Sequence, residues 1–573
     1  MHLLKYESKR ILTTRLIMQF IKNIFNKASH AKVVDTLPWM SGLKDLDDIA
    51  AIEFATKQLN ADFKNNFFND EQYLTALFSV DEKTHTHVEK ITCHFIEIDN
   101  IAIDLEERMS YSTFSFHRQL FLIYVHLIEK LANKDNPLLA KLLAHAMYSA
   151  NRMIQWRYYS YLSAPANVWL EISKIYLIAV KNSLHLEVIE LYSDVVALSI
   201  TTSYIKICML GSLESFSFKR QQINLVRKLL IKWAIKVTID DVYDEKKHLF
   251  YVDTATNAPA KRIRNFKPKD SCRYWNFDTV NLKIDLCLTS IECNIKSKQS
   301  SMDEFIDNKY LISTLEVLRT EWSRSDYKRQ RRMEERTKTV KSAMTAYGFE
   351  DTCNQIKQYE NMMVQRGEKS YQGSKSFEER LASHSMVKSR PDSNNIYVDL
   401  GAGYSNIVDE SNMGLGLHIS KHVNEVSLGM IVSITVKEQK YGTRVGVIRS
   451  IKPVSGNKLH IGVETLSRSA FCVEAKNVRS SMVKAIVNST NMYDNDIFRN
   501  NKSRFTSPSG GFTCLFLPKD YSITNQETLI MPKVQYNKND NFRVNILGAD
   551  LVISPTKTLE RYDDSIRIAY TQK

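Results

Sequence analysis

Glycine is distributed unevenly along this chain, and its distribution constrains the fold more than any other feature. Of the 17 glycines, only Gly42 and Gly211 precede residue 340, and the other fifteen follow it. All six tryptophans, from Trp39 to Trp322, lie in the first part. Because glycine destabilises helix interiors but suits tight turns and bulges, the sequence predicts a helical N-terminal region followed by a β-rich C-terminal region.

The first part also shows helical periodicity. Apolar side chains recur at helical spacing from Phe114 to Leu131, and Pro137 suits the first position of the next helix. A further helical run is predicted from His185 to Ala197. Successive helix pairs with short connections are typical of a bundle or of a solenoid-like stack, and no fixed-period repeat chooses between the two.

Short apolar runs punctuated by glycine follow the helical part, as an antiparallel barrel requires. The expected fold class is multidomain α+β: a helical bundle or solenoid-like region, then an antiparallel β-barrel, then an additional β unit. That last unit either completes the first barrel or forms a second one. The expected segments are an amphipathic leader at 1–30, a helical domain at 31–239 and a mixed α/β connector at 240–322 that ends in a helix. The barrel is expected at 323–484, with a polar insertion at about 349–395, and the last β unit at 485–573.

Net charge and cysteine spacing limit the classes of function. The formal charge of +14 favours anionic partners but does not choose among nucleotides, nucleic acids and membrane surfaces. The eight cysteines form no C-x-x-C pair, so neither a zinc site nor a disulfide framework is indicated, and a cytoplasmic location is expected. Residues 11–25 are apolar on one side and basic on the other, so membrane contact is expected only there, with simple helical packing as the alternative.

An arginine cluster precedes the β-rich region. Arg331, Arg332 and Arg336 follow the pattern Arg-Arg-x-x-x-Arg and lead into a β-like run. Guanidinium groups are planar donors that form bidentate hydrogen bonds with phosphate oxygens or with the O6 and N7 atoms of guanine. Taken alone, the cluster is also typical of a solvated basic face, so its interpretation depends on the motifs that accompany it.

A polar turn that begins at Asp409 follows, and 72 residues lie between Arg336 and Asp409. It has the pattern Asp-x-Ser-x-x-Gly, formed by Asp409, Ser411 and Gly414, and it runs into a new apolar strand. Alone, this pattern is typical of an ordinary Asx-type turn. As an ordered pair followed by Ile461-Gly462-Val463, the cluster and the turn resemble the PilZ domain, a six-stranded barrel that is a receptor for the second messenger cyclic di-GMP.

The resemblance covers about residues 325 to 470 and implies a function for each motif residue. The three arginines would bind phosphate or guanine. Asp409 would accept hydrogen bonds from a guanine edge, Ser411 would contact base or phosphate, and Gly414 would permit the tight turn or a close approach. The six implied nucleotide-binding residues are therefore Arg331, Arg332, Arg336, Asp409, Ser411 and Gly414.

The helical part has a weaker resemblance of its own. Arg157-Tyr158-Tyr159, Val168-Trp169 and the strand Phe250 to Asp253 are similar to a bacterial family that has a PilZ domain at its C-terminal side. The two resemblances together imply a non-enzymatic signalling receptor that binds cyclic di-GMP, uses no cofactor or metal, and relays binding to a protein partner through the helical domain. No nucleic acid partner and no catalytic residue are predicted.

Three alternatives stay open. The long separation between the two motifs also fits a degenerate PilZ domain, which would act as a protein-interaction scaffold without binding nucleotide. Nucleic-acid binding through residues 324 to 341 rests on charge alone. The segment Val398 to Ser405 resembles the glycine-rich loop of S-adenosylmethionine-dependent methyltransferases, although the helix that such a loop must open is not predicted after it.

Overall fold

The structure is a computed structural model that describes residues 37–65, 73–98, 101–134, 136–213, 215–264, 266–292, 308–324, 336–365, 403–420, 426–436, 443–478, 511–546 and 549–573. The chain forms two compact units. The first unit contains the chain up to Met153 together with Lys174–Ile200, and the second contains Ile154–Ser173 together with the chain from Thr201 onward.

Helices dominate the described residues before residue 323, as the glycine distribution predicts. The first α-helix is capped by Asp47, whose side chain accepts a hydrogen bond of 2.8 Å from the Ala50 backbone N–H. The α-helices of the described residues are α1 (Asp48–Lys64), α2 (Leu74–Glu97), α3 (Ile103–Leu131), α4 (Leu139–Tyr159), α5 (Val168–Lys181), α6 (Ile200–Gly211), α7 (Arg220–Trp233), α8 (Asp278–Glu292), α9 (Leu311–Trp322) and α10 (Phe349–Gln365).

Strands dominate after residue 336, so the predicted α+β fold class is confirmed. The strands of the described residues are β1 (Val188–Ile189), β2 (Leu198–Ser199), β3 (Phe250–Asp253), β4 (Lys261–Arg262), β5 (Cys272–Trp275), β6 (Thr337–Tyr347), β7 (Gly403–Glu410), β8 (Gly414–Ser420), β9 (Ile431–Val436), β10 (Arg444–Val454), β11 (Lys458–Ser467), β12 (Phe471–Asn477), β13 (Phe512–Leu517), β14 (Thr528–Pro532), β15 (Phe542–Ile546), β16 (Ala549–Arg561) and β17 (Ser565–Gln572).

The first unit is built on the packing of α1 against α2 and α3, and its interior contains a buried acid. Asp81 on α2 is 2% exposed and accepts hydrogen bonds from the hydroxyls of Tyr124, at 2.6 Å, and Tyr192, at 2.8 Å. The Nδ1 atom of His145 lies 2.9 Å from the same carboxylate. This ionised group is stable in the interior because three donors replace the water that it loses on folding.

The helix predicted from His185 to Ala197 is wrong. That segment instead contains β1 and the turns that follow it, and β1 pairs with β2. Its apolar side chains are largely exposed, with Val188 at 67% and Val196 at 52%. The buried contact of the segment is Tyr192, which stacks on His85 with ring centroids 3.9 Å apart. Tertiary contacts of one tyrosine, rather than an apolar helical face, therefore fix its conformation.

A small sheet and two helices form the mixed connector of the second unit. The sheet has the order β4-β3-β5, and the expected strand from Phe250 to Asp253 is present as β3. Phe277, at the start of α8, packs edge-to-face on Trp322 at the end of α9, with ring centroids 5.1 Å apart. These aromatic contacts anchor both helices beside the sheet.

The first barrel is closed and antiparallel, with the strand order β10-β11-β8-β7-β6-β9. Side chains alternate along each strand, so that Leu415, Leu417 and Ile461 are buried in one core cluster while their sequence neighbours face outward. The N-terminal half of β6 is exposed and contains a bulge between Lys338 and Lys341. The barrel thus places the outward side chains of β7, β8 and β11 on one continuous face.

The second barrel is also closed and has the order β12-β13-β14-β17-β16-β15. The last β unit is therefore a barrel of its own. Its first strand, β12, starts at Phe471, and only three residues separate it from the end of β11 at Ser467. The boundary expected at residue 485 consequently lies within the second barrel, between β12 and β13.

The two barrels and α10 share one apolar cluster. It contains Phe349 of α10, Val447 of the first barrel and Leu515 of the second, each fully buried. Arg449 on β10 adds a polar link, since its Nε donates at 2.6 Å to Glu464 on β11 and its Nη2 donates to Glu560 on β16. The barrels are thus joined by a common seam within the second unit.

Candidate functional site

Arg336 and Asp409, one from each sequence motif, meet at the surface of the first barrel. Arg336 directly precedes β6, and Asp409 lies at the end of β7. These strands pair in antiparallel register, with Thr337 opposite Glu410 and Lys338 opposite Asp409. The Arg336 Nη1 lies 2.6 Å from the Asp409 Oδ1, with the side chains 17% and 26% exposed. The 72 residues between the two motifs therefore do not keep them apart.

The turn from β7 to β8 is closed by Ser411 and Gly414. The Ser411 backbone N–H donates to the Gly414 carbonyl oxygen at 2.8 Å, and the Ser411 hydroxyl donates to the same oxygen at 3.2 Å. A Cβ on Gly414 would lie 2.5 Å from the Val463 carbonyl oxygen and 3.2 Å from the Arg336 Nη2. Gly414 is thus required both by the pairing of β8 with β11 and by the position of the arginine.

Glu410, next to Asp409, forms a second ionic cluster. Its carboxylate lies 2.9 Å from the Lys341 Nζ and 2.8 Å from the Arg444 Nη2. Partial burial acts to raise the pKa of Glu410, but the hydrogen bond of Lys341 and the charge of Arg444 outweigh it, so the pKa lies below its usual value. Glu410 therefore fixes the neighbouring end of β7 by contacts with β6 and β10, while Asp409 pairs with Arg336.

Two histidines that sequence reasoning did not single out lie beside the ion pair. His418 on β8 is directly opposite His460 on β11, and their ring centroids are 5.3 Å apart at 81°. Burial lowers the pKa of His460, which also faces Asp409, His418, Arg336 and Lys452. The sequence signal was the alternation of Gly414, Gly416 and His418 with buried leucines, which puts all three on the outer face of the barrel.

Four of the six motif residues can thus be placed in the site. Arg336, Asp409, Ser411 and Gly414 come together within one turn and one ion pair. Arg331 and Arg332 lie outside the described residues, as do residues 366–395 of the polar insertion. What the structure establishes for the four is their proximity, and their contacts with a ligand stay a prediction.

The glycine-rich segment at Val398 to Ser405 does not open a helix. Its described end, from Gly403, begins β7 of the barrel. Ser405 is buried there, and its hydroxyl is 2.8 Å from that of Thr345 and 3.0 Å from that of Tyr347. A methyltransferase loop requires a strand, then the glycines, then a helix. The strand at this place is therefore incompatible with the methyltransferase alternative.

Neither a metal centre nor a membrane span is found in the part of the chain that the structure describes. No group of three or more His, Cys, Asp or Glu side chains there is arranged to hold a metal ion. Among the same residues, no helix has the length and the apolar character needed to cross a bilayer. The amphipathic stretch 11–25, where membrane contact was expected, lies outside the described residues.

Comparison with known proteins concerns the helical part of the chain. Residues 32–245 match a family model described as the N-terminal domain of the cyclic-di-GMP receptor FimW. The matched stretch is less than half of the chain and includes α1 to α7 but neither barrel. No curated protein and no solved structure matches the chain. The chain is therefore similar to a receptor domain in its helical part, and the PilZ assignment of the first barrel stays a prediction.

Proposed function

We propose that the protein is a non-enzymatic receptor for cyclic di-GMP whose first barrel is a PilZ-type ligand-binding domain. The observation that supports this most directly is the 2.6 Å pair of Arg336 and Asp409, because it joins the two motifs on which the PilZ resemblance rests. The similarity of residues 32–245 to a domain of a cyclic-di-GMP receptor supports the same function from a different part of the chain.

The chemistry of the pair suits a guanine nucleotide. A guanidinium has five N–H donors, and the contact with Asp409 leaves most of those on Arg336 available for phosphate oxygens or for a guanine O6 and N7. The carboxylate of Asp409 accepts hydrogen bonds only, so it selects a base edge that carries N–H groups. Guanine has such an edge. Arg331 and Arg332 add positive charge for the second phosphate in this proposal.

Relay to a protein partner through the helical part is the second element of the proposal. In the second unit, the Nζ of Lys452 on β10 lies 4.6 Å from the ring centroid of Phe216, which is in the matched stretch. Lys452 is also the cross-strand neighbour of His460, beside the candidate site. Ligand binding regulates only if it favours one arrangement over another, and this contact is the place where such a preference would be passed on.

A scaffold without nucleotide binding is the second candidate function. It is favoured by one observation: the charge of Arg336 is already neutralised by Asp409, and the Ser411 hydroxyl is used within its own turn. A ligand must therefore compete with existing contacts. The two candidates differ in whether the full chain binds cyclic di-GMP at all.

Calorimetric titration of the full chain with cyclic di-GMP tests the proposal. Arg336→Ala and Asp409→Ala should each weaken binding by about 2–3 kcal/mol, because each removes a charge-assisted contact. Lys338→Ala is the charge control, since Lys338 is exposed on β6 opposite Asp409 and should change affinity little.

The two substitutions change net charge in opposite directions, which separates specific recognition from attraction to a basic surface. General attraction predicts that Asp409→Ala tightens binding, whereas recognition of a base edge predicts that it weakens binding. No heat of binding at high micromolar ligand, from a chain that is folded, would contradict the receptor and support the scaffold.

A further inference from the structure

The outer face of the first barrel continues past the Arg336–Asp409 pair to paired glycines, over which neighbouring side chains lie. On β8 the outward positions are Gly414, Gly416 and His418, while the residues between them are buried in the barrel core. Gly416 is paired across strands with Gly462 on β11. Two neighbouring outward positions therefore lack side chains of their own. The Ser450 hydroxyl lies over Gly462, and His418 and His460 border the two glycines on one side.

The lack of a side chain at Gly416 lets the Asp409 carboxylate and the His460 ring come close together. A Cβ at that position would lie 2.7 Å from the His460 Cε1 and 2.8 Å from the Asp409 Oδ1. Both side chains thus adjoin the same point above the glycine. A planar base whose edge is hydrogen-bonded to Asp409 consequently lies beside the His460 ring.

The surroundings of His460 favour an uncharged ring. The groups that face it are Asp409 from β7, His418 from β8, Lys452 from β10 and Arg336, which precedes β6. Burial, His418 and the two cations lower the pKa of His460, and Asp409 only partly opposes them. At neutral pH the imidazole is therefore a neutral aromatic surface, which suits a base better than a phosphate.

We propose that the His460 ring, supported edge-on by His418, forms a platform on which a guanine base of the ligand stacks while Asp409 holds the edge of the same base. The proposal rests on the proposed function and adds two binding residues to it. Its basis is the perpendicular imidazole pair and the shared point above Gly416 at which the His460 ring and the Asp409 carboxylate meet.

Alanine and phenylalanine substitutions in the full chain test the platform by titration with cyclic di-GMP at pH 7.5. His460→Ala and His418→Ala should each weaken binding about tenfold or more, the usual effect of removing an aromatic stacking partner. His460→Phe keeps an aromatic face and should bind within about threefold of the wild type. Ser420→Ala is the matched control, because Ser420 is the next outward position on β8 and carries no charge.

The outcomes separate this inference from the proposed function. If the wild type binds and Arg336→Ala binds poorly, but both His→Ala variants bind normally, the receptor stands and the platform is refuted. If His460→Phe loses as much affinity as His460→Ala, stacking is refuted. His418→Ala provides the same test should His460→Ala fail to fold.

The pH dependence of binding gives an independent measurement. A neutral His460 ring predicts an affinity that changes less than about threefold between pH 8 and pH 6.5. Affinity that rises about tenfold over that range would instead show an imidazolium contacting phosphate, and it would overturn the stacking assignment.

Discussion

Arg336 Nη1 and Asp409 Oδ1 lie 2.6 Å apart although 72 residues separate the two side chains along the chain. The ion pair is the contact by which β6 and β7 present one cation and one carboxylate at the same point of the barrel surface. The two charges can therefore contribute both to the stability of the fold and to the binding of a ligand.

Exchanging the charges should separate stability from binding. Arg336→Asp and Asp409→Arg should each destabilise the protein by about 1 kcal/mol, the upper range for a partly exposed pair. The double variant re-forms an ion pair and should recover most of this stability. It places the carboxylate and the guanidinium at exchanged positions, so it should not recover cyclic di-GMP binding. Chemical denaturation and calorimetry measure the two effects, and recovery of both would show that only net charge matters.

Loss of the Tyr192 hydroxyl should destabilise the first unit. The hydroxyl donates to the buried Asp81 carboxylate at 2.8 Å, so Tyr192→Phe removes one charge-assisted hydrogen bond and leaves the rest of the ring in place. We expect a loss of about 1.5–3 kcal/mol in the free energy of unfolding, measured by urea denaturation. Tyr111→Phe is the control, because Tyr111 is 73% exposed. Equal effects of the two changes would contradict the structural function of the bond.

His117 should make the first unit sensitive to acid. Both ring nitrogens are buried without a hydrogen-bond partner among the described residues, and burial, followed by the charge of Arg152, lowers the pKa of His117 to about 3. In the unfolded chain the pKa is about 6.5, so below that pH the unfolded state binds a proton that the folded state excludes. Stability is therefore retained above pH 6.5 and lost as the pH falls from there toward 3.

The expected loss from this one group is about 2 kcal/mol between pH 7 and pH 5. His117→Phe removes the titrating group and should flatten the pH dependence of unfolding measured in urea at these two pH values. His94→Phe changes an exposed histidine and should leave the slope unchanged. If His117→Phe kept the wild-type slope, the acid sensitivity would have to arise elsewhere.

Truncation of Leu515 should weaken both barrels at once. Leu515 is fully buried in the apolar cluster that α10 shares with the two barrels, and Leu515→Ala leaves a cavity there. We expect a loss of about 2–5 kcal/mol in stability. Calorimetric melting should show the strands of both barrels unfolding in one transition at a lower temperature. Val534→Ala, at a position 75% exposed, should have no such effect.

Much of the barrel architecture follows from the sequence, because its strands are short, alternate in polarity and are separated by glycine. The runs at Leu415 to Ile419, Arg444 to Ile451 and Phe512 to Leu517 correspond closely to β8, β10 and β13. β16 was not predicted, since Pro555 and several charged residues obscure its pattern, and irregular pairing with β17 near Pro555 accommodates them.

The candidate site was predictable only in the part that the family motifs cover. The proximity of Arg336 and Asp409 followed from their order in the resemblance. His418 and His460 belong to no motif, and their proximity depends on the register of β8 with β11, which a single sequence does not specify. The same holds for Tyr192, whose position is determined by partners more than 100 residues away in the sequence, Asp81 and His85.

The short passage from β11 to β12 determines which piece of this protein can be inherited or exchanged as a whole. Domain boundaries normally fall where few contacts cross the chain. Here only residues 468–470 separate the strands of the two barrels, and on both sides of them lie side chains of one apolar cluster. A recombination event at this point would expose Val447 and Leu515 to water in the separated products. The transferable module is therefore the tandem of barrels with α10, and a homologue is expected to gain or lose both together.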